Sequence, residues 1–167
     1  MSNLEVAQAY FDAWNRRDSK AIVNEFADGG TYNDPISGKI TGQAIASYAE
    51  GLWAAFPDLS FEIMSAGEIS HGSVAAQWVM RGTNQGSFSG LPPTGRTVVL
   101  LGAVFIELGD DGIRSVHGYF DSRAFPDQRP HSAPDPGQVA AQLVPAPPLG
   151  AERTPRKAAS DQTGPVP

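Results

Sequence analysis

The sequence predicts an α+β fold: about three N-terminal helices packed on a curved, mostly antiparallel sheet, forming a cone-shaped α+β barrel. Three observations predict it. Apolar residues recur at helical spacing as far as Phe56. After Pro57 the period changes from 3.6 to 2. The strand candidates that follow are consecutive, as in antiparallel neighbours, with no helical pattern between them. Helices on one face of such a sheet leave a cone with an open mouth.

The elements follow in chain order. Ser2 and Glu5 form a capping box, with a side-chain acceptor three residues before a carboxylate. Val6, Ala7, Tyr10, Phe11 and Trp14 then mark a helix face, which ends at Asn15-Arg16-Arg17-Asp18. Asp18 or Ser19 caps a second helix carrying Ile22, Val23 and Phe26, and Asp28-Gly29-Gly30 stops it. Thr31–Pro35 reads as a short strand entering a turn. Thr41 caps a third helix with Ile45, Tyr48, Leu52 and Phe56 on one side, and Pro57 terminates it. Strands are expected at Leu59–Met64, Val74–Thr83, Arg96–Leu108 and Ile113–Asp121. His71-Gly72 and Asp110-Asp111-Gly112 read as hairpin turns, the latter with a glycine suited to positive φ.

Length and composition bound the function. A chain of 167 residues suits one domain with an extension. The expected domain is residues 1–128, followed by a proline-rich, disordered tail at 129–167. Ten of the 14 prolines lie from Pro126 onward, and no aromatic residue follows Phe125. A short helix at Gln138–Val144 is an alternative there. The formal charge of −6 and pI near 4.9 argue against a nucleic-acid partner, which requires clustered Lys and Arg. No apolar run of about 18 residues predicts a membrane span. The N-terminus carries neither a basic n-region nor an apolar h-region, so a cytoplasmic location is expected. The chain has no Cys and three scattered His, so no metal site is expected.

Alternation places Ile113, Ser115, His117, Tyr119 and Asp121 on one face of the last strand, unless a bulge swaps the faces. Val74, Ala76, Trp78, Met80 and Asn84 share a face of the Val74–Thr83 strand and its exit. A carboxylate at the end of an apolar wall has a raised pKa and can exchange a proton with a carbon acid. Neutral donors can hold the enolate oxygen that develops. Asp121 with His117, Asn84 and Asn33 meets that composition. The plainer readings are a surface Asp121 paired with Arg123, a half-buried structural His117, an Asx turn at Asn33-Asp34-Pro35, and core roles for Trp14, Trp53 and Trp78. The chain has no P-loop, dinucleotide fingerprint or nucleophile elbow.

The series Tyr10-Phe11-Asp12-Ala13-Trp14-Asn15, Tyr32-Asn33-Asp34-Pro35, Phe56-Pro57-Asp58-Leu59, Gly90-Leu91-Pro92-Pro93-Thr94-Gly95-Arg96 and Tyr119-Phe120-Asp121 resembles the SnoaL-like polyketide cyclases, within the ketosteroid-isomerase-like superfamily. The resemblance covers about residues 3–125. It implies an α+β cone, a homodimer, no metal or organic cofactor, and Asp121 as general acid/base of an intramolecular aldol closure. Family members often carry His where this chain has Asn33 and Asn84. The expected function is a cyclase or isomerase acting on a hydrophobic, polyketide-like carbonyl compound. Tyr10, Trp14, Tyr32, Trp53, Trp78, Met80 and Tyr119 are the expected substrate-binding residues. Epoxide opening, steroid-like isomerisation and binding of a small hydrophobic molecule without catalysis are the alternatives. The apolar stripe Val99, Leu101, Ala103 and Phe105 is expected either at a dimer interface or under the helices.

Overall fold

The computed structural model of the chain describes residues 1–125, which lie in one compact unit. The proline-rich tail and the helix considered at Gln138–Val144 lie outside the described residues.

Helix α1 is Asn3–Arg16, α2 is Ser19–Asn24 and α3 is Gln43–Ala55; the strands are β1 Phe26–Asp34, β2 Gly38–Thr41, β3 Ser60–Ser70, β4 Ser73–Thr83, β5 Thr97–Gly109 and β6 Gly112–Phe120. The capping box closes as the sequence predicts. The Ser2 amide donates to Glu5 Oε2 at 2.6 Å, and the Glu5 amide donates to Ser2 Oγ at 3.3 Å, so two otherwise unpaired amides of the helix start are satisfied. Arg17 ends α1 in the left-handed conformation (φ 56°), and its guanidinium donates to the Pro57 and Leu59 carbonyls. Asn15 fastens the same helix to β3. Its Nδ2 donates to the Phe61 carbonyl at 2.9 Å and its Oδ1 accepts from the Phe61 amide at 2.8 Å.

The sheet runs in the order β2-β1-β6-β5-β4-β3, curved and unclosed, with every pair antiparallel except β1 and β6. α1 packs on β3 and β4, α2 on α1, α3 and β1, and α3 also on β2. The core between the layers is aromatic: Tyr10, Phe11, Trp14, Tyr32, Trp53, Phe56 and Trp78 are all buried. The Trp78 ring lies over Gly102, its partner across β4 and β5, where any Cβ would meet the indole.

Three details depart from the sequence reading. Phe26 opens β1 rather than closing α2, and Gly29-Gly30 lie inside that strand. A Cβ on Gly30 would stand 2.6 Å from the Ile113 carbonyl, so the glycine there permits close approach of two backbones. Gly42, not Thr41, precedes α3, with no side-chain cap. The largest departure is on β6. Glu107 pairs with Ser115 but Leu108 pairs with Ile113, so Arg114 is an extra residue. That bulge swaps the faces beyond it. Ile113 and Val116 both point into the core, with Gly118 and Phe120 after them, while His117 and Tyr119 lie on the outer side.

Introducing a side chain under the Trp78 indole is expected to force the two strands apart. Gly102→Val should lower stability by about 1–3 kcal/mol, the usual cost of overpacking a filled core. Thermal and urea denaturation measure it.

Candidate functional site

A cavity opens between the helices and the inner face of the sheet. Tyr10, Phe11 and Trp14 of α1, Tyr48 and Leu52 of α3, Tyr32 and Asp34 of β1, and Phe61, Trp78, Met80, Leu100, Val104, Gly118 and Phe120 of β3–β6 line it, with Phe125 beyond β6. Its volume is about 40 Å³, room for roughly three waters. The wall is apolar apart from one carboxylate and three phenols.

The carboxylate is Asp34, the last residue of β1, and it is only 5% exposed. Alternation along the strand puts it on the same side as Tyr32. Its two oxygens do different work. Oδ1 accepts from the Ile36 and Ser37 amides, both at 2.7 Å, and so shapes the turn into β2. Oδ2 faces the cavity and accepts from the hydroxyls of Tyr32 and Tyr48, both at 2.8 Å. An ionised carboxylate has the lone pairs to take all four. Room beside it comes from Gly118, where a Cβ would lie 3.3 Å from Asp34 Cβ and 4.0 Å from the Tyr32 hydroxyl.

Burial raises the pKa of all three phenols. For Tyr10, loss of water is the main cause, the Trp14 side chain opposes it through a hydrogen bond, and the charge of Asp34 adds to it. For Tyr48, loss of water comes first and Asp34 second. For Tyr32, loss of water is followed by Tyr10 and then Asp34. All three therefore remain neutral hydrogen-bond donors across the physiological range.

The residues predicted from sequence divide sharply. Tyr10, Trp14, Tyr32, Trp78 and Met80 line the cavity. Trp53 is buried against Trp14, ring centres 5.8 Å apart, but is not in the wall. Tyr119 lies on the outer face of β6 at 57% exposure, its ring against Phe105. Asp121 is outside the cavity as well. Its side chain is 57% exposed and takes Arg123 Nε at 2.9 Å and Nη2 at 3.0 Å. That bidentate bond, with the Arg123 amide, holds its carboxyl below the usual aspartate range. The Arg114 bulge is the reason the expected grouping does not form. Asn33 and His117 pair in register on the outer side of β1 and β6. Asn84 is buried in the β4–β5 loop. Its Oδ1 accepts from the Thr94 amide and hydroxyl at 2.8 and 3.0 Å, and its Nδ2 donates to the Gly86 carbonyl at 2.8 Å. It organises that loop.

Asp34 is the cavity-lining acid that the sequence reading does not single out. The signal is in the sequence: Tyr32 and Asp34 share a face, and an Asx turn occupies only one carboxylate oxygen. Among the described residues no cluster of three His, Cys, Asp or Glu could hold a metal ion, and no helix is long and apolar enough to cross a membrane.

Helices packed on one face of an incomplete, mostly antiparallel curved sheet give the chain a fold of the ketosteroid-isomerase-like class. A protein of that fold from Catenulispora acidiphila superposes with a TM-score of 0.59 at 22% identity, covering 69% of this chain and 84% of that one. AclR from Streptomyces galilaeus gives 0.64 at 23% identity, with 74% and 91% covered. IdmH from Streptomyces antibioticus gives 0.65 at 20%, with 74% and 95% covered. Within the class, residues 4–129 match the family of SnoaL-like polyketide cyclases, and the chain belongs to it. Comparison with curated proteins gives no match.

The raised phenol pKa values fix the sign of an alkaline effect. Unfolded tyrosines ionise near pH 10 and the buried ones only above it. The stability they contribute is complete below about pH 10 and falls as pH rises beyond it. Denaturation at stepped pH, followed by phenolate absorbance, should show Tyr10, Tyr32 and Tyr48 ionising only with unfolding.

Proposed function

We propose that this chain catalyses proton transfer on a small apolar carbonyl compound, leading to ring closure or isomerisation, with Asp34 as the general acid/base. One observation carries the reading: Asp34 is the carboxylate in the cavity wall, and both its cavity-side partners are hydroxyls that stay protonated. Asp34 Oδ2 takes a proton from the carbon next to the substrate carbonyl. The C–H bond breaks, an O–H bond forms on the carboxyl, and the electron pair moves into an enolate. The buried Tyr10 phenol, or the Tyr48 hydroxyl as it turns from Asp34 Oδ2 and frees that oxygen for the proton, donates a hydrogen bond to the enolate oxygen. The enolate carbon then either attacks a second carbonyl, which takes up the proton as the ring closes, or is reprotonated elsewhere. Membership of a polyketide cyclase family supports the substrate class.

A second reading, binding without turnover, is favoured by the saturation of Asp34 with four hydrogen bonds. Exchange of the α-protons of 2-indanone into D₂O, followed by NMR, separates the two. The wild-type protein should accelerate exchange and Asp34→Asn should slow it by about 10²–10⁴-fold. Asp121→Asn should exchange at close to the wild-type rate. Binding of the ketone with no acceleration would leave only the second reading.

We also infer that a second copy of the chain covers the outer face of the sheet. Leu101 and Phe105 are each 43% exposed there, beside Tyr119, whereas Val98, Leu100, Val104 and Ile106 of the same strand are buried under the helices. A dimer in sedimentation that Phe105→Glu converts to monomer, with the cavity residues untouched, is the expected result; a wild-type monomer at tens of micromolar, roughly the usual working range, would count against it.

A further inference from the structure

The cavity at Asp34 has a neighbour. A recess of about 210 Å³ lies between the end of α3 and the β4–β5 loop, lined by Phe56, Asn84, Phe88, Leu91, Pro92, Thr94 and Phe125. Phe125 is common to both linings. Its ring sits 5.8 Å from that of Phe56, 5.4 Å from Phe88 and 6.0 Å from Phe120. The last of these belongs to the cavity and Phe88 to the recess, so one side chain stands between the two spaces.

The recess is built. Phe88 and Leu91 exchange backbone hydrogen bonds at 3.0 and 2.8 Å across a tight turn, with Ser89 (φ 47°) and Gly90 (φ 78°) in the left-handed region. The Asn84 amide group is spent on Thr94 and Gly86, and the Asn84 carbonyl accepts from Gly95 at 2.8 Å. The loop is thereby held together from within and turns rings and aliphatic carbon toward the recess. The cavity is the smaller of the two spaces, about 40 Å³.

We propose that the two spaces form one bipartite substrate site and that Phe125 is the residue setting how long a substrate it accepts. This rests on the reading of Asp34 as the reacting group. A short carbonyl compound fits at Asp34 alone. An elongated one, with an alkyl chain or a second ring, turns Phe125 aside and lays its distal end among Phe88, Leu91 and Pro92. Phe125 follows the one-turn 3-10 helix Ser122–Ala124 and stands where the two spaces meet, its ring among those of Phe56, Phe88 and Phe120. Phe11 likewise borders both the cavity and a groove between α1 and β3, but it sits in the middle of a regular helix. The substrate class is thus a ketone with an apolar extension.

Calorimetric titration of the full chain with phenol and its 4-ethyl, 4-butyl and 4-hexyl derivatives tests this. The hydroxyl stands in for the enolate oxygen and the chain probes length. Wild-type affinity should climb by up to about fourfold for each methylene that reaches the recess. Leu91→Trp, at a partly exposed position, should fill the recess, flatten that climb and leave phenol unchanged. Phe125→Ala should steepen it. Equal length dependence in wild type and Leu91→Trp overturns the proposal, as does a flat wild-type series. The exchange experiment with 2-indanone is independent. Exchange that needs Asp34 alongside a flat phenol series rejects only the partition, and length dependence without exchange rejects only the chemistry.

Discussion

The carboxylate of Asp34 joins the architecture of this protein to its chemistry. Through Oδ1 it closes the turn that sends β1 back as β2, using the backbone amides of Ile36 and Ser37. Through Oδ2 it ties β1 to α3 by way of Tyr48 and fixes the Tyr32 ring in the cavity wall. A buried carboxylate without partners is costly, and one with four donors is held in a single orientation. The sheet, the third helix and the hollow between them therefore meet at one residue whose position is set by the fold and whose second oxygen lies with two phenols in the cavity wall.

Around that residue the wall is mostly aromatic, nine of its fifteen residues. Trp14 contacts Tyr10, Tyr32, Trp53 and Phe61 at ring separations of 5.6–6.4 Å, and Phe61 continues the contact to Trp78. Tilted and edge-on pairs of this kind add about 0.5–1.5 kcal/mol each beyond burial. The Asp34 pair of phenols is the polar handle of an otherwise apolar wall, which suits recognition of one oxygen on an apolar molecule.

Much of the fold can be read in the sequence because it follows periodic rules. The capping box at Ser2 and Glu5, the hairpins at Gly72 and Gly112 and the inward face of β4 all follow from spacing. Other features break the period. β2 is four residues with no alternation, and the first half of β1 passes through glycines that usually signal a turn. The site was harder still. Five of the seven substrate-binding candidates, among them Tyr10 and Trp78, stand in the wall because aromatic residues on inward faces must meet there. The carboxylate of the cavity is not legible because parity counting along β6 assumes an unbroken ladder, and because an aspartate before proline is fully explained by a turn until its second oxygen is traced.

The single additional residue in β6 has a wider consequence. One strand carries two alternative chemistries on its two sides: Gly118 and Phe120, small and oily, or His117 and Tyr119, able to hydrogen-bond. Insertion of Arg114 selects the first for the interior and turns the second toward the side of the sheet available for assembly. Loss or gain of one codon at that point would exchange an internal hollow for a polar one without altering any other residue of the strand, so a length change of one is here a change of chemical identity.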